Sequence, residues 1–221
     1  MAATTSVKPQ ILLISLDLQP WFDDMYSSLI DQLHDKATIQ RARKGHAAIR
    51  RLSEDPPKAV LVTDAAITTK RYANIWDALL TYVRDGGIAV CMGLFSSSVP
   101  PLKIKPFFEK AGLPWEAGSY HRTTVVLDKD NVPIDTVAFL PESYSQKAVF
   151  LKNVDNSVAW YRQSGDSVIE SSVFLSTHVE DISEVPVALV NVGERKLGYI
   201  GDVNTEEPSN AAILAMCGLH G

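Results

Sequence analysis

Three stretches of almost continuous apolar character, residues 11–16, 59–63 and 88–92, broken only by Ser15 and Thr63, stand out along the chain. A strand covered on both faces reads as a continuous apolar run, so these three are expected to be central parallel strands. Between them, Phe22, Met25, Leu29 and Leu33 share one helical face, and Trp76, Leu79, Leu80 and Val83 follow the i, i+3, i+4, i+7 rule. Residues 37–41 read as a further strand and 44–52 as the helix after it. The resulting β-α-β-α-β-α-β order, wound with right-handed crossovers, predicts a three-layer, flavodoxin-like α/β fold: a mostly parallel central sheet flanked by helices.

The second half is β-rich. Gly86-Gly87 ends the helix that precedes residues 88–92, residues 98–105 with Pro100 and Pro101 read as a loop, and a short helix over 106–111 stops at Gly112. Strands are expected at 123–127, 148–151, 168–175, 187–192 and 197–200, the last two forming a hairpin around residues 193–196. Pro208 opens a closing helix that Gly218 ends. With no internal repeat or linker, residues 1–221 are expected to form a single domain.

Charge narrows the possible partners. A formal charge of −5 leaves no positive excess to neutralise a phosphate backbone, so nucleic acid is not an expected partner. Two cysteines and no Asn-x-Ser/Thr acceptor give no sign of a secreted, disulfide-stapled domain. The polar segment 1–9 has no apolar core and no run reaches the length of a membrane span, which predicts a cytoplasmic protein without membrane contact. No Gly-x-Ser-x-Gly elbow, dinucleotide fingerprint or P-loop is present, and no cofactor is expected. His178, Glu180 and Asp181 lack a second cluster at metal-ligand spacing, so no metal site is expected either.

Two motifs carry a resemblance. Residues 82–90, Tyr-Val-Arg-Asp-Gly-Gly-Ile-Ala-Val, are similar to the helix, Gly-Gly, strand lead-in of class I glutamine amidotransferase-like domains, including ThuA-like proteins and the trimerisation domains of some β-galactosidases. Residues 186–191 with 196–202 resemble the late hairpin of the same branch. In that superfamily the central strand ends in a Gly-x-Cys-x-Gly nucleophile elbow; here the matching residues are Ala89-Val90-Cys91-Met92-Gly93, with Ala in place of the first Gly. The resemblance implies Cys91 as nucleophile, activated at a helix N-terminus. Residues 94–101, however, do not read as a helix start. The family's His-x-Glu pair has its spacing in His178-Val179-Glu180, ahead of the final hairpin, whereas the hairpin strand itself leads into Gly201-Asp202-Val203-Asn204. The classical Cys-His-Glu triad is thus incomplete.

The catalytic candidates are Cys91, with His121 or His178 as base. Burial of Cys91 in a central strand is the competing structural reading. Asp17, Asp64 and Asp202 follow expected strands and would converge at the carboxyl edge with Gln19, Met92 and Asn204, forming a ligand-binding rim; helix and turn capping by the aspartates is the alternative. Two functions follow. One is a cysteine-dependent hydrolase, lyase or transferase acting on a small polar substrate. The other is a non-catalytic protein that binds a metabolite or a partner, including a second copy of itself as a homodimer.

Overall fold

The computed structural model describes residues 7–171, 173 and 175–220, so residues 172 and 174 of the strand expected at 168–175, and the first six residues of the polar 1–9 segment, lie outside the described residues. The first half runs β1 (Gln10–Ile14), α1 (Phe22–Met25), α2 (Ser27–Lys36), β2 (Thr38–Ala42), α3 (Gly45–Glu54), β3 (Ala59–Val62), α4 (Ala73–Arg84) and β4 (Ile88–Cys91). The second continues with α5 (Leu94–Ser98), α6 (Pro101–Glu109), β5 (Glu116–Leu127), α7 (Ile134–Val137), β6 (Ser143–Lys152), β7 (Ala159–Arg162), β8 (Val168–Ile169), β9 (Thr177–His178), β10 (Val187–Val192), β11 (Arg195–Ile200) and α8 (Glu207–Met216).

One nine-stranded sheet runs β2-β1-β3-β4-β11-β10-β7-β5-β6, and β8 pairs with β9 in a separate ribbon. From β2 to β11 every neighbouring pair is parallel. From β11 to β6 every pair is antiparallel. The sheet is therefore mixed, a correction to the expected mostly parallel arrangement. The cause is the β10–β11 hairpin: Gly193, at φ +65°, turns the chain in two residues, laying β11 parallel to β4 while β10 faces the other way.

The apolar runs behave as double-sided strands. Ile11 and Leu13 pack with Leu29 and Leu33 of α2 and with α8, while Leu12 and Ile14 pack on the other face with α3, α4 and α6. Covering both faces of a Leu or Ile run contributes about 1.5–3 kcal/mol per side chain, which favours this central position over any edge.

Residues 101–105 are helical, not loop. Pro101 stands at the first turn of α6, where its fixed φ suits a helix start and its missing N–H costs nothing. The antiparallel half also curls back on itself. Val149 N–H donates to Gly201 O, Val203 N–H to Lys147 O, and Leu151 exchanges two bonds with Val185. The outer edge of β6 is thereby tied to the segments flanking β10 and β11.

Candidate functional site

Strands β1, β3, β4 and β11 end side by side in the same direction, so their carboxyl edges share a rim. Asp17 and Asp64 meet there: the Asp17 N–H donates to Asp64 Oδ2 at 3.1 Å, and the Ala66 N–H donates to Oδ1 at 3.0 Å. Asp202 accepts from the N–H groups of Asn204 (2.6 Å) and Glu206 (2.8 Å). Burial pushes the carboxyls of both Asp64 and Asp202 above the usual carboxylate range. Asp64 and Asp202 cap their own turns, Asp17 is exposed, and Gln19 hydrogen bonds back to Asp17 O. Met92 is buried and Asn204 exposed.

Cys91 is the last residue of β4 and is fully buried, packed in the cluster that holds Phe95, Phe108, Leu197 and Tyr199. Desolvation drives its thiol pKa upward, the reverse of what a nucleophilic thiolate needs. Gly93, two residues later, makes the sharp turn from β4 into α5 with φ +66° and ψ −131°. That is the strand-to-helix position where an elbow nucleophile sits, and here it carries no side chain. A Cβ on Gly93 would point at the Phe22 and Tyr26 rings, 3.4 Å away, which stack on each other at 4.6 Å and fill the space in front of the elbow. A helix does begin at Leu94, contrary to the sequence reading, because Gly93 supplies the left-handed turn that lets the chain reverse out of the sheet. The motif match therefore placed the cysteine two residues upstream of the turn.

The two histidines part company. His178 lies exposed in β9, paired with Val168 outside the main sheet. His121 is buried in β5, its ring stacked on Phe150 at 4.5 Å and 9°. Its Nδ1 lies 3.0 Å from Ser119 Oγ and its Nε2 lies 3.0 Å from Gln163 Oε1. Ser119 donates its N–H at 2.8 Å and its hydroxyl to Oε2 of the buried Glu184. Both His121 nitrogens are thus engaged in this cluster and neither bonds to Cys91. Two residues of β5, Gly118 and Ser119, face one residue of β6, Phe150, in a β-bulge. A Cβ at Gly118 would come within 2.9 Å of the Glu184 carboxylate and of Phe150 O, so only glycine lets these groups close on one another.

Around the bulge lie three pockets. One of about 770 Å³ is lined by Tyr120, His121, Arg122, Lys147 and Glu170. Another of about 300 Å³ is lined by Ser119, His121, Lys152, Glu180 and Glu184, and a third of about 290 Å³ by Ser96, Ser97, Gly118 and Tyr120. Lys147 Nζ stands 5.3 Å over the Tyr120 ring, and Arg122 pairs with Glu206. Ser119, Gln163 and Glu184 escaped the sequence reading because they are far apart in the chain and match no motif. Among the described residues, no group of three or more His, Cys, Asp or Glu side chains is placed to hold a metal ion, and no helix is long and apolar enough to cross a membrane.

A mixed sheet with helices on both faces, a last parallel strand delivered by a hairpin and a sharp turn at the end of β4 define an α/β scaffold. The same fold occurs in solved structures. A ThuA-like protein from Bacteroides uniformis superposes with a TM-score of 0.64 at 12% identity, over 97% of this chain and 92% of that one. A ThuA-like protein from Parabacteroides merdae gives 0.54 at 12% identity, over 96% and 91%. A β-galactosidase from Bacillus circulans gives 0.55 at 12% identity, over 96% of this chain but only 31% of its own. The fold is therefore that of the ThuA-like proteins. No family model matches the sequence, and no curated protein matches it.

Proposed function

We propose that this protein uses the class I glutamine amidotransferase-like scaffold without cysteine chemistry, and that it takes a small polar molecule at the His121 bulge. One observation carries the reading: the elbow position is Gly93, with Cys91 sealed in the core, while buried polar side chains converge on His121 beside open pockets. On this reading Asp64 and Asp202 are structural caps, the chain works as a single cytoplasmic domain, and β2, an outer strand of the nine-stranded sheet, is where a homodimer would pair. The order β2-β1-β3-β4 in the parallel half supports a flavodoxin-like reading of that half.

The test has two arms. Hydrolysis of L-glutamine should be undetectable and unaffected by Cys91→Ala. In amide NMR spectra, small amines, carboxylates and sugars at millimolar concentration should shift Tyr120, His121, Lys147 and Lys152 first. Shifts confined to Asp17, Asp64 and Asn204 would move the site to the strand ends and overturn the proposal.

A further inference from the structure

We infer that the pocket of about 770 Å³ beside His121 binds a small organic monocarboxylate, its carboxylate held by Lys147 and Arg122 and its apolar part lying against Tyr120 and Ile169. The inference rests on the ligand site placed at the bulge and names the class of molecule that site takes.

The strand register builds a cationic wall. Arg122 of β5 and Lys147 of β6 are direct cross-strand partners, and Tyr120, two residues before Arg122, lies on the same face of β5. Like charges set opposite one another destabilise a sheet unless an anion offsets them. Glu206 does so for Arg122. Lys147 is half-buried and its ammonium stands over the Tyr120 ring, with no ion pair or hydrogen bond among the described residues. One positive charge of the pair is thus left for a ligand.

Arg122 is oriented to share in the contact. It donates from Nη1 to Ser145 Oγ at 3.1 Å and from Nη2 to Glu206, and Ser145 in turn donates to Glu170 Oε2 at 2.6 Å. Held through both terminal nitrogens, the planar guanidinium keeps its orientation and has further N–H donors to offer. Glu170 lines the same pocket but does not neutralise Lys147, because its Oε1 accepts from Thr124 at 2.8 Å and its Oε2 from Ser145. Its charge sets a limit instead. A ligand with two negative charges meets twice the repulsion from Glu170 that a monoanion meets.

The rest of the wall is apolar. Tyr120 leaves 58% of its surface open, and Ile169 joins it from β8, which the bond from Glu170 N–H to Arg122 O holds beside β5. Covering that surface favours an acid with a hydrocarbon part over a bare inorganic ion, and the volume has room for one of benzoate size.

The test uses benzoate, its neutral counterpart benzamide and inorganic sulfate, titrated into the native protein and followed by amide NMR and calorimetry. Benzoate should shift Tyr120, Arg122 and Lys147, bind at least about tenfold more tightly than benzamide, and weaken as salt rises. Lys147→Gln should weaken benzoate at least about tenfold and leave benzamide unchanged, while Lys147→Arg should retain benzoate binding. Benzamide binding as tightly as benzoate, undiminished benzoate affinity in folded Lys147→Gln, or sulfate binding more tightly than benzoate would overturn the inference. The comparison of benzoate with benzamide needs only the wild-type protein, so it decides the matter should Lys147→Gln fail to fold. If benzoate shifts none of these amides but methylamine or glucose does, the ligand site survives and the carboxylate assignment falls. If no probe shifts them, both fall.

Discussion

Replacing Gly93 with alanine isolates the elbow from everything else in the site. The added Cβ would meet Phe22 and Tyr26 carbons at 3.4 Å and Thr63 O at 3.5 Å, all ordinary contact distances, so crowding contributes little. What remains is the backbone. A non-glycine residue held at φ +66° and ψ −131° carries about 1–3 kcal/mol of strain. For a chain of this size that lowers Tm by roughly 2–4 °C per kcal/mol, readable by calorimetry or urea titration. Gly201→Ala is the contrasting control. Its Cβ would lie 2.2 Å from Val149 O, and Val149 is itself bonded to Gly201, so the loss should exceed that of Gly93→Ala. A Gly93→Ala protein as stable as wild type would mean that the chain does not turn through a left-handed residue there. The elbow would then lie elsewhere, and the reason for dismissing Cys91 would go with it.

Three further outcomes are expected. Tyr26→Phe should leave stability unchanged or raise it by up to about 1 kcal/mol in urea titration, since it deletes a buried hydroxyl that has no hydrogen-bond partner among the described residues; a loss above that size would reveal a partner. Cys91→Ser should cost about 1–3 kcal/mol in the same assay by placing a hydroxyl in an apolar cage, whereas a polar surround would make it neutral. Asp64 binds its proton more tightly folded than unfolded, so its contribution to stability is greatest below the unfolded value of 3.8 and declines as pH rises through its raised folded pKa. The stability difference between wild type and Asp64→Asn should follow that slope just above pH 3.8, and a flat difference would contradict the burial argument.

The parallel half was legible because its signal is local. Continuous apolar runs at β1, β3 and β4 report burial on both faces, and the helical periodicity of α2 and α4 names the faces that cover them. The antiparallel half was read less well for a physical reason. β5 begins at Glu116, but early in it Ser119 and His121 are polar because they bond to Glu184 and Gln163, and Gly118 is small because a side chain there would meet the Glu184 carboxylate. Alternation is lost at the bulge, and the strand was recognised only from Thr123. β7 (Ala159–Arg162) went unrecognised because four residues are too short to show a period. At the elbow the motif Cys-x-Gly was visible, yet spacing alone could not tell a strand-end cysteine facing the core from one on the turn; the φ of Gly93 decides it.

Thiol accessibility tests the account most directly. Both cysteines are fully buried, with the Cys217 thiol pushed up to about 12 and that of Cys91 higher still. Native protein mixed with iodoacetamide at neutral pH should therefore modify Cys91 only through unfolding, roughly a thousandfold or more slower than the chain in concentrated guanidinium, as a stability of several kcal/mol dictates. Rapid modification of Cys91 in the folded protein, at or above the rate of the unfolded chain, would return the thiol to the active site and contradict the account.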